Sequence, residues 1–427
     1  MKIMVIGGGG REHAIIRKLR QSSKVDIIFA LPGNGGIARD ALCVDIDAKD
    51  IPAIVSFAKT NSVDFVVVAP DDPLVLGAVD ALENAGIPCF GPDKKAAVIE
   101  GSKVFSKNLM KKYGIPTAGY EAFSDAASAL EYLETAPVPT VVKADGLALG
   151  KGVIIAQTRE EAKAAVRSMM EDRVFGESGS QIVIEEFLEG PEVSVLSFTD
   201  GKTVVPMVSS MDHKRAHDND EGLNTGGMGT VAPNPFYTES IAEECMKEIF
   251  IPTMNAMNAE GRSFRGCLYF GLMLTELGPK VIEYNCRFGD PETQVVLPLL
   301  ESDLVDIMLA TRNGTLSETE VRFSRGAACC VIMASEGYPE KYEKGFGIAL
   351  PSSLPYDTDI YVAGAKLDNG RLVTSGGRVL GVTAKAGDLE SAVERAYEAV
   401  KLVSFTNAFY RRDIGQKALG ALEKEAQ

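Results

Sequence analysis

Lys143-Ala144-Asp145-Gly146-Leu147-Ala148-Leu149-Gly150-Lys151-Gly152-Val153 is the stretch on which the fold turns. Residues 140–143 and 152–156 read as strands on either side of it. Between them Gly146, Gly150 and Gly152, with Lys143 ending the first strand and Lys151 inside the turn, make flexible backbone that can close over phosphates. A P-loop would need four residues between its glycines and Ser or Thr after the lysine. Here three residues intervene and Gly152 follows, so that reading fails. An ordinary glycine-rich hairpin leaves the two lysines unexplained.

Downstream, Ile184-Glu185-Glu186-Phe187-Leu188-Glu189-Gly190-Pro191-Glu192 runs from a strand into a turn. Extended backbone beside apolar side chains can hydrogen-bond an adenine edge, and a nearby carboxylate can bind ribose hydroxyls; acidic strand ends are common, so this stretch alone decides little. More telling is Val281-Ile282-Glu283-Tyr284-Asn285-Cys286-Arg287-Phe288-Gly289-Asp290-Pro291-Glu292. Glu283, Asn285 and Arg287 fall at i, i+2 and i+4, one face of a strand. A carboxylate and an amide oxygen are hard ligands suited to Mg²⁺, which keeps several waters and bridges phosphates. The arginine beside them can hold a transferring phosphoryl group. Asp212-His213-Lys214-Arg215 and Asn224-Thr225-Gly226-Gly227-Met228-Gly229 bracket a polar stretch, 212–235, that reads as a long functional loop. His213 and His217 read there as loop residues rather than metal ligands.

The first hundred residues repeat strand, turn and helix: strands at 3–6, 26–30, 65–69 and 87–90, helices at 12–21, 51–60 and 74–85. That rhythm predicts a parallel, doubly wound sheet, with ligands at the carboxyl ends of its strands. Those ends carry Gly7–Gly10, Pro32–Gly36 and Pro70-Asp71-Asp72-Pro73. The glycine turn suggests a dinucleotide fingerprint, but Glu12 occupies the third-glycine position and no acidic residue closes the second strand. A site for another phosphate or an amine, involving Gly9 and Gly10, is the better expectation. Further strands are expected near 181–186, 192–199, 203–209, 266–275 and 280–284, with helices at 158–170, 238–258 and 389–402.

At 427 residues the chain has room for two to four domains. The net charge of −15 argues against broad nucleic-acid binding while leaving nucleotides open as substrates. Seven cysteines without a C-x-x-C pair read as small buried hydrophobes in a reducing compartment. The start reads as a strand rather than a signal peptide, and no apolar run approaches the roughly 20 residues that span a bilayer. A cytoplasmic protein is expected. With the chain ending soon after the closing domain, fused downstream activities are not expected.

Taken together, these motifs resemble the phosphoribosylamine–glycine ligase (glycinamide ribonucleotide synthetase) family of ATP-grasp enzymes, over essentially the whole chain. Most specific are Arg287-Phe288-Gly289-Asp290-Pro291-Glu292-Thr293-Gln294, which looks like that family's signature, and Asn224–Gly229. Gly7-x-Gly9-Gly10-Arg11-Glu12-His13-Ala14 and Arg412-Asp413-Ile414-Gly415 mark its two ends. The glycine loop and the Glu-x-Asn pair are shared with the wider ATP-grasp group.

The resemblance implies an α/β chain with three parts: a Rossmann-like domain over 1–102, a two-lobed ATP-grasp domain over 103–320 with its lid lobe at about 115–190, and a strand-rich C-terminal domain over 321–427. It implies an ATP-dependent carbon–nitrogen ligase of purine biosynthesis that joins glycine to 5-phosphoribosylamine through glycyl phosphate. Lys143 and Arg287 would be catalytic. ATP would be held by Lys103, Lys143, Gly146, Gly150, Lys151, Gly152, Glu185, Glu186, Phe187, Leu188 and Glu192. Substrate contacts would come from Gly9, Gly10, Asp71, Asp212, Lys214, Asn224, Gly226, Gly227, Asp290, Lys366 and Arg378. Glu283 and Asn285 would hold Mg²⁺ or Mn²⁺. Related ATP-grasp carboxylases add an acidic ligand on the preceding strand, where this chain has Leu274; Glu276 shares its parity, so a third ligand stays open. Implied partners are small molecules, with no nucleic acid and no membrane, and the chain would be a monomer or weak dimer. A formate-using transformylase or a bicarbonate-using carboxylase is the nearest rival.

Overall fold

The computed structural model describes residues 1–147 and 152–425; Gly150 and Lys151 of the lid turn therefore lie outside the described residues. The first apolar runs, Lys2–Gly7, Ile27–Pro32 and Phe65–Val68, become neighbours in a five-stranded parallel sheet that Leu42–Cys43 and Cys89–Phe90 complete at its edges. Its central strands are buried on both faces, which is why they read as continuous rather than alternating apolar runs. The expected 74–85 helix is instead two helices, Asp71–Leu76 and Ala78–Asn84, interrupted by Gly77 at φ 96°. The first of them begins three residues early, which places Asp71 at the carboxyl end of the Phe65–Val68 strand.

Two antiparallel sheets follow. One, in the order Tyr120–Phe123, Ile182–Glu186, Thr140–Ala144, Val153–Ala156, is backed by the helices Ala126–Tyr132 and Arg159–Val166 and has its own core around Val142, Val166 and Ile184. The other runs Val204–Pro206, Glu192–Asp200, Arg265–Thr275, Gly278–Asn285, and packs into the same core as the N-terminal sheet. The cleft between these two sheets receives Lys143, Glu185 and Glu283.

A third sheet combines Met211–Asp212, Gly229–Ala232, Ala327–Ser335, Arg378–Ala386 and Thr358–Val362, with Ala408–Phe409 on the Ala327–Ser335 strand and the helix Leu389–Val400 across it. The 212–235 stretch is thus not a loop. It holds a hairpin, Arg215–His217 with Glu221–Asn224, and two strands of this sheet. Short strands whose partners lie a hundred residues away leave no local period to read. The helix Gln416–Glu425, beyond the expected closing helix, is a further addition. Of the seven cysteines, six are buried free thiols and Cys43 is exposed.

Candidate active site

Strand parity builds the centre of the site. On Ile182–Glu186, Glu185 points into the cleft at 3% exposure, whereas Glu186 points out at 51% and accepts the Gly119 N–H at 3.1 Å. Glu185 Oε2 pairs with Lys143 Nζ at 3.0 Å and Lys107 Nζ at 2.9 Å, while its Oε1 is buried without a partner among the described residues. Lys143 Nζ also donates to Ile282 O at 3.1 Å and so reaches from one sheet across to the other. Lys107, one helical turn beyond Lys103, donates to Thr117 Oγ1, which in turn donates to Val281 O. Burial pulls the Lys107 ammonium down to about 8, with Glu185 working in the opposite direction. Sequence reading missed Lys107, although its four-residue spacing from Lys103 was available. Lys103 caps the visible start of the glycine turn, donating to Gly146 O at 2.8 Å.

Glu283 is the electrostatic focus. Burial alone would raise its carboxyl, but Lys214, Lys143, Lys103 and Arg287 together hold it below the usual carboxylate value. Its cross-strand partner is Gly271. Leu274 pairs with Pro279 near the hairpin tip, so neither Leu274 nor Glu276 stands opposite Glu283; the bulge between Gly271 and Leu272 shifts the register that parity had assumed. Among the described residues no group of three or more His, Cys, Asp or Glu is placed to hold a metal. An ionised carboxylate and the Asn285 amide still fit a hard divalent cation whose other positions are filled by phosphate oxygens and water.

Arg287 belongs to a second knot. It pairs with Glu100 Oε1 at 3.0 Å and approaches Asp71 Oδ2 at 3.9 Å, and its Nε is buried without a partner. Glu100 Oε2 accepts the Cys286 N–H at 2.7 Å, which fixes the end of the Gly278–Asn285 strand. Burial raises the Glu100 carboxyl; Asp71, which burial would also raise, is drawn down by Arg287 and Arg11.

The remaining candidates gather beside this knot. Asp290 is buried against Arg378 and Arg11, which overcome burial and lower its carboxyl. Arg378 donates to Gly226 O at 2.6 Å and Asp290 O at 2.8 Å, and lies 3.5 Å from Asp290 Oδ2. Lys214 pairs with Glu192 at 2.8 Å; burial disfavours its charge, yet Glu192, Glu283 and Tyr269 raise it well above the ordinary lysine value. Asp212 sits behind Gly227 and is raised by burial and by Glu292. Lys366 is exposed, its backbone against Gly35. A cavity of 450 Å³ beside the lid strand is lined by Val153, Ile155, Arg215, Leu223 and Asn224.

At the N-terminal turn the geometry departs from expectation. Gly9 N–H donates to Glu12 Oε2 at 2.6 Å and Arg11 N–H to Asp290 Oδ2 at 3.5 Å. Protein carboxylates therefore already occupy the helix start, and an incoming anion would have to displace them. The same Glu12 carboxylate stands where a dinucleotide fingerprint needs open backbone.

Three models of one family match this arrangement in order: phosphoribosylglycinamide synthetase N domain over residues 1–100, its ATP-grasp (A) domain over 101–293, and its C domain over 328–417. The chain is 48% identical to the phosphoribosylamine–glycine ligase of Haemophilus influenzae, covering 100% of both chains. It is also 48% identical to that of Halalkalibacterium halodurans, covering 98% of this chain and 97% of the relative. The crystal structure of phosphoribosylamine–glycine ligase from Thermotoga maritima superposes with a TM-score of 0.84 at 34% identity, covering 97% of this chain and 100% of that one. The biotin carboxylase domain of Hydrogenobacter thermophilus 2-oxoglutarate carboxylase shares the fold at 17% identity and a TM-score of 0.75, over 96% of this chain and 91% of that one. The chain belongs to the phosphoribosylglycinamide synthetase family.

Proposed function

We propose that this chain is an ATP-dependent carbon–nitrogen ligase that joins glycine to 5-phosphoribosylamine, giving glycinamide ribonucleotide, ADP and phosphate. The observation that carries the chemistry is the convergence of Lys143, Lys103, Lys214 and Arg287 on the ionised Glu283. Such a cluster suits a polyphosphate whose terminal group is transferred, a reaction catalysed chiefly by positioning and charge.

A glycine carboxylate oxygen attacks the γ-phosphorus, the bond to the β–γ bridging oxygen breaks, and ADP leaves. The amine of phosphoribosylamine then attacks the acyl carbon of glycyl phosphate; phosphate departs with the bonding pair and the nitrogen loses a proton. Lys143 and Arg287 offset charge on the phosphoryl group in flight, Lys103 steadies the phosphates, and the backbone of Glu186 to Leu188 receives adenine. Glu185 acts through Lys143 and Lys107, holding both ammonium groups in the cleft. Glu192 offers its carboxylate to ribose, in competition with Lys214. Glu283 and Asn285 would hold a divalent cation, Mg²⁺ or Mn²⁺, which would supply charge neutralisation at the phosphates. The resemblance makes 146–152 the lid that excludes water from the acyl phosphate; residues 148–151 lie outside the described residues.

Asp71, Asp290, Arg378 and the Gly226–Gly227 backbone surround the acceptor side, with Asp212, Asn224 and Lys366 further out and Gly9 and Gly10 at the turn. We assign the chain to the cytoplasm as a monomer or weak dimer acting on small molecules alone. The acidic net charge and the buried free thiols support this, and among the described residues no helix is long and apolar enough to cross a membrane. The test is ADP release by the purified chain. Release that requires glycine and phosphoribosylamine together is expected; release only with formate or bicarbonate overturns the proposal.

A further inference from the structure

Arg411-Arg412-Asp413-Ile414-Gly415 touches no candidate for the reaction, yet it grips the segment that bears several of them. Arg411 is 2% exposed, and all three nitrogens of its guanidinium are hydrogen-bonded. Nε and Nη2 fork onto Asp413 at 2.8 and 2.7 Å, while Nη1 reaches Asp220 Oδ1 at 2.9 Å and Arg215 O at 3.1 Å. Three backbone bonds reinforce the grip: Arg412 N–H to Asp218 Oδ1 at 2.7 Å, Asn219 N–H to Asp413 Oδ2 at 2.9 Å, and Gly415 N–H to His213 Nε2 at 3.2 Å. With Nε2 accepting, the His213 proton sits on Nδ1 and is donated to Gly229 O at 3.1 Å. Tyr397 anchors the gripping segment to the Leu389–Val400 helix, accepting from Ile414 N–H and donating to Arg411 O.

The gripped backbone carries the acceptor side of the site. Thr225 N–H donates to Lys214 O at 2.8 Å, Met228 N–H to His213 O at 2.8 Å, and Arg215 pairs with Asn224 across the hairpin. The Gly226–Gly227 turn is therefore suspended from residues 213–215, and Arg411 holds residue 215 by its carbonyl. A buried guanidinium is a poor way to gain stability, since desolvation offsets much of its attraction. Its planar fork is well suited to fixing three chain segments at set angles.

We propose that Arg411, with Asp413 and His213, is a positioning residue for the amine-acceptor side of the site: it sets where the Gly226–Gly227 backbone stands, while the Lys214 ammonium is held separately by Glu192 and the nucleotide side is left alone. The substrate half of this inference rests on the ligase reading above. The experiment compares wild type with Arg411→Met, Arg411→Lys and Asp220→Asn, measuring KM for phosphoribosylamine, kcat, ATP affinity by titration, and amide hydrogen exchange over 222–229. Arg411→Met raises the acceptor KM about tenfold or more, and Arg411→Lys, which keeps the charge without the fork, recovers part of that loss. ATP affinity stays within about threefold, because the removed interaction is not made to the nucleotide. Exchange over 222–229 accelerates in both. Asp220 is exposed, so Asp220→Asn keeps the fold if Arg411→Met does not, and shows the same KM shift in smaller measure. Folded variants with unchanged acceptor KM, or with acceptor KM raised and ATP affinity lost to a like degree, overturn the clamp. A wild-type chain that releases no ADP with this substrate pair defeats the ligase reading instead, and the exchange measurement then still decides whether Arg411 holds the segment.

Discussion

Glu283 is held ionised by four cations from four separate segments of the chain, and that balance is what a phosphate chain would inherit on binding. Removing its charge while keeping its shape should therefore spare the fold and stop the chemistry. Glu283→Gln is expected to lower ATP turnover by about 10²–10³-fold or more, with an unchanged thermal midpoint; steady-state ADP release checks it. Lys107 is the opposite kind of residue. It is buried against Glu185, so Lys107→Met leaves a carboxylate with one cation fewer and should cost about 3 kcal/mol of stability, read as a lower urea midpoint. Glu283 and Asn285 were legible as a pair because a period of two needs only one strand; Arg287, expected on the same face, lies past that strand's end at a bend. The Arg287–Glu100 pair was not legible, since the two residues lie on different elements and meet only when the strand end packs against the helix Lys94–Gly101.

At the scale of the element, the hairpin and turn between 211 and 229 decide most. Gly227 lies at φ 111°, and a Cβ there would meet Pro291 Cδ at 2.5 Å and Asp212 Oδ1 at 2.6 Å. Gly227→Ala should therefore displace the turn and reduce kcat/KM for the acceptor about tenfold or more, while equilibrium binding of ATP is retained. His213 links the same segment to the C-terminal sheet. Burial, helped by Arg411, lowers its imidazole to about 4 from an ordinary 6.5. The unfolded chain thus binds more protons between those values, so the contribution of His213 is complete above pH 6.5 and is lost as pH falls towards 4. The loss amounts to about 3 kcal/mol over that window. In His213→Gln the fall in unfolding free energy between pH 7 and 4 should be smaller by that amount; equal falls in both proteins would contradict the assignment. This element was the least legible part of the sequence. Its strands are two to four residues long, too short for a period, and their partners lie in the Ala327–Ser335 strand or in each other.

For the whole molecule, the sequence made the N-terminal sheet plain because buried parallel strands announce themselves as apolar runs, whereas the two-lobed arrangement came only with the family resemblance. What it could not show is how the ends of the chain meet. His13 Nδ1 accepts the Val362 N–H at 2.8 Å, Arg17 pairs with Asp359 at 2.9 Å, and Asn34 donates to both Gly8 O and Val362 O. The N-terminal turn is thereby fixed against the C-terminal sheet, while the lobe of Tyr120–Glu186 keeps a separate core and faces the cleft on its own. Nucleotide that bridges this lobe to the Gly278–Asn285 strand should stabilise the molecule, by about 2.7 kcal/mol at a hundredfold excess over Kd. MgATP is expected to raise the thermal midpoint and NAD to leave it unchanged; a rise with NAD would restore the dinucleotide reading that Glu12 argues against. The central claim is that a carboxylate is activated by phosphoryl transfer, and its most direct test is the fate of oxygen. With glycine labelled by ¹⁸O in both carboxylate positions, the account predicts that each phosphate released carries one labelled oxygen. Phosphate without label, alongside normal formation of the amide product, would contradict it.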